Sequence, residues 1–371
     1  MESVETREKS AKKGGHRKLK IFLKILLITV LILMIAISAV GLLGWRWLET
    51  EFDQMDRVKY NEKDLLISET ARKNLKDYRN ILLLGIDSRE GENINRCRSD
   101  AMVLVSINKK TGDVKMVSIM RDSFLELEEN GNKKIDKLTH AHAFGGPKNT
   151  IRALNKNLDL NIKEFIRVDW KAVADMADGL GGLELNVKDY QIKEMNKYID
   201  DTNKSLHGDT SKIKKAGKQK LNGVQVVTFC RIRHVGRGDT ERAERMREAM
   251  LAMISKATKV GIKKVDKMVD KVVPEITTNI DTRALMELLI KNLNVKIKKS
   301  IGWPYTWDGA MIGGVSYDVP ITLETNVKDL YRGVFGIKNY NPTTTVKEIS
   351  ERVSKKSGYY KGQPVQITNK K

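Results

Sequence analysis

The sequence predicts an α/β domain whose sheet carries helices on both faces, and three observations predict it. Apolar runs at residues 81–84, 101–107 and 114–119 have the length and composition of buried strands, and the turn Thr111-Gly112-Asp113 makes the last two a hairpin. Helical patterns follow at 147–157 and 170–178, the second stopped by Gly179, Gly181 and Gly182 before a further strand at 183–187. Residues 80–350 show no internal repeat, and roughly 270 residues suffice for one large core.

Residues 1–24 form a basic tail in which Lys12, Lys13, Arg17, Lys18, Lys20 and Lys24 lie just ahead of an apolar run. Residues 25–43 contain no charged residue, and at roughly 1.5 Å per helical residue the stretch 25–45 spans about 30 Å, one hydrocarbon thickness. It reads as a membrane span. The positive-inside rule keeps the tail in the cytoplasm and places everything after Trp47 outside. A cleaved signal peptide is the alternative, with Ala36, Ser38 and Ala39 as small residues for a peptidase. Its apolar core covers only about 7 to 15 residues, however, and Trp45 and Trp47 stand as interfacial anchors at the outer end of a longer run. The expectation is a single-pass cell-membrane protein with an extracellular domain.

Residues 46–79 are charged, and from Glu49 onward contain neither Pro nor Gly, which predicts a helical stalk or an opening helix that serves as a spacer. Residues 190–223 are polar and lysine-rich, punctuated by Gly208, Gly217 and Gly223. They read as a mobile excursion, either a flap over a site or a solvated surface loop. The β-branched run 224–229 resembles a strand but is short enough for a helical turn, and periodicity leaves both open. Residues 351–371 read as a flexible basic tail.

Charged side chains gather where these elements end. Gly85-Ile86-Asp87-Ser88-Arg89 follows the first strand, Arg98-Ser99-Asp100 precedes the second, and Arg121-Asp122 follows the third. Guanidinium groups bind phosphate oxygens bidentately and stay charged, and aspartates hold the Mg²⁺ that neutralises a pyrophosphate. One such pair is as readily a surface ion pair; several delivered together suggest a site for a phosphorylated substrate. Further on, Arg231-Ile232-Arg233-His234 precedes a glycine-containing loop, Asp239, Arg242 and Arg245. In an extended segment Arg231 and Arg233 share a face, and at helical spacing Arg242 and Arg245 share another. A solvated helix face is the plain reading, but like charges at those spacings repel unless an anion sits between them, which favours function. Asp239 stands where a helix N-cap is wanted, and Ala243, Met246, Met250, Met253 and Ala257 form an apolar stripe read as core packing.

The chain carries 68 Lys and Arg against 47 Asp and Glu, a formal net charge of +21, so its partner is an anion. Nucleic acid, an acidic membrane surface, a phosphate-rich glycopolymer and a lipid pyrophosphate all satisfy that charge. An extracellular domain sets nucleic acid aside and brings cell-envelope substrates forward. Cys97 and Cys230 each immediately precede an arginine. A disulfide between them is permitted outside the membrane, although strand neighbours point to opposite faces and would often separate the sulfurs. His140 and His142 have no third zinc ligand at a suitable spacing and are read as pocket wall.

Taken together, Gly85-x-Asp87-x-Arg89, Arg98-Ser99-Asp100, Ser118-Ile119-x-Arg121-Asp122, Lys137-Leu138-Thr139-His140-Ala141-x-Ala143-Phe144-Gly145-Gly146, Arg167-Val168-Asp169, Asp178-Gly179-x-Gly181-Gly182 and Arg231-x-Arg233 through Asp239-x-x-Arg242-x-x-Arg245 make a distributed pattern. In that order, behind one membrane anchor, the chain resembles the LytR-CpsA-Psr family of Gram-positive cell-envelope proteins over residues 80–257, and residues 323–350 resemble the family's C-terminal portion. Two departures stand out. Met120 replaces the usual Pro of the Ile-Pro-Arg-Asp element, which leaves the strand end less rigid and Arg121 more loosely placed. The common aromatic just before Arg231 is absent, and Cys230 stands there, one residue after Phe229.

The resemblance implies a three-layer α/β/α domain with a central mixed sheet over residues 80–350, and an Mg-dependent phosphotransferase. It implies transfer of an anionic glycopolymer, of teichoic acid or capsule type, from a polyprenyl-pyrophosphate carrier to a peptidoglycan hydroxyl as a phosphodiester. Both phosphates must then be neutralised and the incoming hydroxyl aligned. By similarity Arg89, Arg98, Arg121, Lys137, Arg231, Arg233 and Arg242 bind the pyrophosphate, and Asp87 and Asp100 hold Mg²⁺, or Mn²⁺ in its place. Arg121, Asp122 and Asp239 are the catalytic candidates, the aspartates either orienting an arginine or receiving the acceptor's proton. The lipid requires an apolar tunnel near the arginines, with residues 242–257 and 282–293 as candidate walls. Hydrolysis of the carrier with water as acceptor is an alternative activity, and a nonenzymatic precursor-binding sensor is another reading. A cytoplasmic tail of about 20 residues is too short for an independent DNA-binding core.

Overall fold

Strand pairing in the computed structural model builds a seven-stranded mixed sheet, and its strand directions decide where the site falls. The structure describes residues 46, 49–51, 53–88, 91–257, 271–291, 297–363 and 366–367. The expected membrane span and Arg89 lie outside the described residues, among which no helix is long and apolar enough to cross a membrane. Residues 46 and 49–51 are helical, and Gln54–Lys371 is one compact unit.

That unit opens with β1 (Asp56–Arg57), α1 (Glu69–Asn74), β2 (Tyr78–Ile86), β3 (Ser99–Asn108) and β4 (Val114–Ile119). A hairpin of β5 (Phe124–Glu129) and β6 (Asn132–Lys137) leads into α2 (Thr139–Leu158), then β7 (Glu164–Asp169) and α3 (Trp170–Gly179). β8 (Leu183–Val187), α4 (Asp189–Ser205), β9 (Gly217–Leu221), α5 (Gly223–Arg231) and α6 (Asp239–Ala257) follow. The chain ends through β10 (Thr277–Thr278), α7 (Thr282–Lys291), β11 (Ile297–Trp303), β12 (Thr306–Ile312), β13 (Val315–Pro320), α8 (Leu323–Leu330), α9 (Thr344–Ser357) and β14 (Gln366–Ile367).

The main sheet has the order β1-β10-β7-β2-β3-β4-β11. β2 runs parallel to β7 and antiparallel to β3, β3 antiparallel to β4, and β4 parallel to β11. The carboxyl ends of β2, β4, β7 and β11 therefore share one edge with the start of β3, the end of an open α/β sheet where ligands bind.

Alternation puts Leu82, Leu84, Ile86, Leu104, Val117 and Ile119 on one face, in a core shared with Ile151, Leu154 and Leu158 of α2 and with Val346, Ile349 and Val353 of α9. Val103, Val114 and Met116 face the other way and are covered by Met250, Leu251 and Ile254 of α6. Helices thus lie on both faces, as expected. The methionine stripe is core packing too: Met253 is buried and Met246 half-buried in a second cluster with α3, α4 and α5.

One open choice is settled and three expectations change. Residues 224–229 are helical, because Asn222 and Gln225 form a capping box and Val224, Val226 and Val227 are buried; packing outweighs β-branched propensity. Gly223 allows that helix to sit on α3, since a Cβ there would lie 2.4 Å from the Ala174 carbonyl oxygen. The excursion at 190–223 is built from α4 and from β9, which pairs with β8. Its lysines occupy exposed positions of regular elements rather than an open loop. The segment read as a spacer contributes β1 to the main sheet, through Asp56 opposite Thr277. Of the tail, residues up to Ser357 complete α9, and Gln366–Ile367 pairs with β12.

Candidate functional site

The shared edge of the sheet brings distant motifs together. Asp100 opens β3, Arg121 and Asp122 follow β4, and Arg242 projects from the first turns of α6. The Asp100 carboxylate lies between two guanidinium groups, with Arg121 Nη1 at 2.5 Å from one oxygen and Arg242 Nη2 at 2.5 Å from the other. All three side chains are buried, at 7%, 11% and 4% exposure respectively. Burial alone would raise the Asp100 carboxyl, but Arg242 and then Arg121 outweigh it and hold it below the ordinary carboxylate value.

Asp122 extends this cluster. Its oxygens lie 3.7 Å from Arg121 Nε and 3.3 Å from Lys137 Nζ. Lys137 ends β6 and is fixed from behind, because Asp136 accepts from the Lys137 backbone N–H at 2.7 Å and from His140 Nδ1 at 3.0 Å. The position of Arg121 is firmer than the loss of the proline suggests: the Met120 N–H donates to the Trp303 carbonyl at 2.9 Å and ties the end of β4 to β11.

An apolar cleft opens on the clamp between the sheet and α6, with Met102, Val103, Ile119 and Met120 on one side and Ala243 and Met246 on the other. Its free volume is about 30 Å³, on the order of one water molecule. Ala243 and Met246 belong to the expected wall 242–257, and residues 292–293 of the other expected wall lie outside the described residues.

A separate cleft of about 280 Å³ lies next to it, lined by Asp87, Ser88, Asp169, Trp170 and Arg231 among others. Arg231 donates to Thr202 Oγ1 and to Asp201 Oδ2, each at 3.1 Å. It ends α5, and Arg233 lies half-buried in the following loop, so the two do not share the face of a strand. Arg98 is exposed at the entry to β3. Arg89 and the Asp239 side chain lie outside the described residues.

Arg245 is turned away from the clamp. Its guanidinium donates to the Phe229 carbonyl at 3.0 Å and to the Ile232 carbonyl, and pairs with Glu241 at 3.4 Å. It closes the C-terminal end of α5, so of the two helical arginines only Arg242 reaches the clamp.

Asp318 of β13 lines the clamp cleft beside Arg121, and its N–H donates to the Asp122 carbonyl at 3.0 Å. Nothing in the sequence marked it, since it comes from a remote hairpin with no motif of its own. Both cysteines are free thiols; Cys230 is buried and its thiol is pushed up to about 12, which removes it as a nucleophile. His142 is fully buried, with Nδ1 2.8 Å from the Cys97 carbonyl oxygen.

Among the described residues no group of three or more His, Cys, Asp or Glu is arranged to hold a metal. Mg²⁺ is commonly held by one or two carboxylates together with substrate phosphates. Asp87 and Asp100 stand at the paired ends of β2 and β3, where Ile86 is opposite Ser99. Each Asp100 oxygen that accepts from an arginine keeps a second lone pair.

Fold and site together define a mixed-sheet α/β protein with a buried arginine–carboxylate clamp at the carboxyl edge of its sheet, beside an apolar cleft. The chain belongs to the LytR_cpsA_psr family, whose model matches residues 48–329.

The polyisoprenyl-teichoic acid–peptidoglycan teichoic acid transferase TagT of Bacillus subtilis is 30% identical over 258 residues, which cover 67% of this chain and 74% of that protein. A TagU transferase of Bacillus cereus is 31% identical over 205 residues, 55% of this chain and 60% of its own length. An uncharacterized protein of Staphylococcus aureus is 34% identical over 227 residues, 59% and 53% respectively; the chain thus spans less than two thirds of these last two. Among solved structures, a Streptococcus agalactiae protein superposes with a TM-score of 0.61 at 22% identity, over 75% of this chain and 94% of that one. TagT bound to LIIa-WTA superposes at 0.53 and 24%, over 77% and 92%. These likenesses concern the fold.

Proposed function

We propose that this protein transfers an anionic glycopolymer from a polyprenyl-pyrophosphate carrier to a peptidoglycan hydroxyl, as a cell-membrane enzyme anchored by residues 25–45 with its domain outside. The observation that carries the reading is the clamp itself, two arginines converging on one buried carboxylate at the mouth of an apolar cleft. Arginines held in this way are pre-positioned for phosphate oxygens and lose little freedom on binding.

The acceptor hydroxyl attacks the phosphorus bonded to the sugar and gives up its proton to a carboxylate, for which Asp122 and Asp239 are the candidates. The bond to the bridging oxygen breaks, and polyprenyl phosphate leaves. Arg121 and Arg242 neutralise the non-bridging oxygens. Arg231 adds positive charge in the neighbouring cleft, and Arg89, Arg98 and Arg233 are carried as pyrophosphate ligands by the family resemblance. Lys137 takes charge on the side of Asp122. Asp122 lies within ion-pair reach of Arg121 and Lys137, which suits it to hold both in register. Asp87 and Asp100 would hold Mg²⁺, which when bound supplies further charge neutralisation to the two phosphates. The prenyl chain would follow the apolar cleft walled by Ala243 and Met246 of α6.

The test uses the full chain in detergent with Mg²⁺, a short-chain polyprenyl-pyrophosphate saccharide and peptidoglycan oligomers, beside Arg121→Ala, with products followed by mass spectrometry. A phosphodiester-linked glycan formed by the wild type and lost in the variant is the expected result. Polyprenyl phosphate released without an acceptor product would replace the transferase with a hydrolase, and binding without turnover would leave a sensor.

A further inference from the structure

The opposite end of the main sheet carries a second groove, far from the clamp. It lies at the start of β2 and β7, has a volume of about 440 Å³, and is lined by Arg72, Lys76, Arg79, Lys109, Lys163 and Asn80 among others. Asn80 pairs with Ser106, six positions along β3 from Asp100, a separation of about 20 Å at roughly 3.3 Å per residue.

Charge there is only partly compensated. Glu164, the acidic residue of the groove, is bound bidentately by Arg79 at 2.6 and 2.8 Å. Glu62 pairs with Arg72 and, at 2.8 Å, with Lys163. Lys109 Nζ donates to the Lys76 carbonyl at 2.9 Å, and the carboxylate that faces these two ammonium groups, Asp77, is itself paired with Lys110 at 2.8 Å. Counting Lys110 with the five lining cations, six positive groups stand against Glu164, Glu62, Asp77 and Glu69, the last 3.5 Å from Arg72, which leaves the groove net positive and suited to a polyanion.

A second observation concerns Asn80, which is 3% exposed. Its Nδ2 donates to Asn161 Oδ1 at 2.6 Å, and Asn161 in turn donates to the Leu75 carbonyl at 3.0 Å. Its Oδ1 is buried without a hydrogen-bond partner, an unmet acceptor that costs free energy unless a donor arrives. A phosphate oxygen cannot supply that donor. A hydroxyl can. Tyr78, the aromatic residue of the groove, has its hydroxyl on the Phe335 carbonyl at 2.7 Å and its ring edge-on to Phe335, which leaves no open ring for nucleobases to stack on.

We propose that this groove binds a phosphodiester-linked polyol or sugar chain, with the basic side chains taking phosphates and Asn80 Oδ1 accepting from a hydroxyl. This rests on the transferase reading for the identity of the polymer. The groove then holds the polymer at a point remote from the phosphate being transferred, and it favours long chains over short ones.

Isothermal titration of the full chain in detergent with a glycerol-phosphate oligomer, inorganic phosphate, polyglutamate and oligothymidylate tests the proposal. Lys76 and Lys109 are exposed, so Lys76→Glu with Lys109→Glu should leave the fold intact. The pair should weaken oligomer binding at least about tenfold, or about 1.4 kcal/mol, with affinity for a short-chain polyprenyl pyrophosphate unchanged. The charge-removing pair Lys76→Gln and Lys109→Gln should move affinity the same way by less. Unchanged oligomer affinity in both pairs overturns the proposal, as does equal or tighter binding of polyglutamate or oligothymidylate. Loss of polyprenyl-pyrophosphate binding in the wild type, with oligomer binding intact, would instead defeat the transferase reading and leave the groove standing.

Discussion

Asp100 and Glu126 are both buried carboxylates gripped by two cationic side chains, yet one opens on a cleft and the other closes a seam. Glu126, on β5, binds Lys156 of α2 at 2.6 Å and Arg352 of α9 at 2.9 and 2.7 Å. Its backbone N–H donates to Asn157 at 3.0 Å, and Asn157 donates back to its carbonyl at 2.8 Å. Three elements are stitched together, and of the two cations only Lys156 borders a cleft, a polar one of about 400 Å³ shared with Arg152 and Asp159. At Asp100 the cations come from β4 and α6, and both line a cleft. The contacts are alike, and the difference is that both cations of Asp100 converge on one apolar cleft, whereas those of Glu126 diverge and only one of them reaches a cleft.

The largest expected effect breaks the Asp100 clamp. Arg242→Ala removes a group placed to stabilise transferred charge, and the turnover rate should fall about 10² to 10³-fold. Arg242→Lys keeps the charge but not the planar fork, so its loss should remain at least about tenfold while its melting temperature stays closer to wild type. Single-turnover kinetics on both variants decide this; full activity in Arg242→Lys would mean that charge alone suffices.

Breaking the other clamp should leave chemistry alone. Glu126→Ala strands two cations at a seam, and a loss of about 3 kcal/mol is expected, with kcat/KM unchanged in the folded fraction. Burial would raise the Glu126 carboxyl, but Lys156 and Arg352 hold it below its ordinary value of 4.5. A lowered carboxylate stabilises the fold above its unfolded value, and that contribution is lost as pH falls through the folded one. Denaturant midpoints between pH 3 and 6 should therefore fall on acidification in wild type and less in Glu126→Gln. Identical curves would show that the pair contributes nothing.

A smaller pH effect belongs to His142, which burial lowers from 6.5 to about 4 against the opposing pull of the Cys97 carbonyl. The unfolded chain takes up this proton first. Stability is therefore full above pH 6.5 and declines toward pH 4, by at most about 1.4 kcal/mol per pH unit. His142→Gln should flatten that part of the profile, and chemical denaturation across the range measures it.

The same contrast shows what was legible in the sequence. β2, β3 and β4 were readable because burial on both faces leaves continuous apolar runs and Thr111-Gly112-Asp113 marks their turn. The motif arginines and aspartates were readable as a set, and Asp100, Arg121, Asp122, Lys137 and Arg242 do meet. The division of labour between Arg242 and Arg245 was not readable. They lie one turn apart on α6 with the same charge, and only the carbonyls of Phe229 and Ile232, left open at the end of α5, draw Arg245 away. Asp318 was invisible because its place beside Arg121 depends on β13 pairing next to Ser123, a long-range contact that no local pattern encodes. Valines hid α5, whose identity comes from a capping box and a glycine pressed against α3.

The smallest expected effect asks what holds Arg121 in place, the strand or the clamp. Met120→Pro would restore the family's usual residue at the cost of the N–H that donates to Trp303 at 2.9 Å. Losing that bond costs about 1 kcal/mol, partly offset by the lower entropy of the unfolded chain, so the melting temperature should drop by about 2 °C or less. Arg121 is also held by Asp100 and lies near Asp122, and these contacts are untouched by the change. Turnover should therefore stay within about threefold of wild type, a barrier change well under 1 kcal/mol. A large loss of turnover with an unchanged melting temperature would show that the tie between β4 and β11 positions the guanidinium. In that case the Asp100 clamp, like the Glu126 seam, mainly holds elements together.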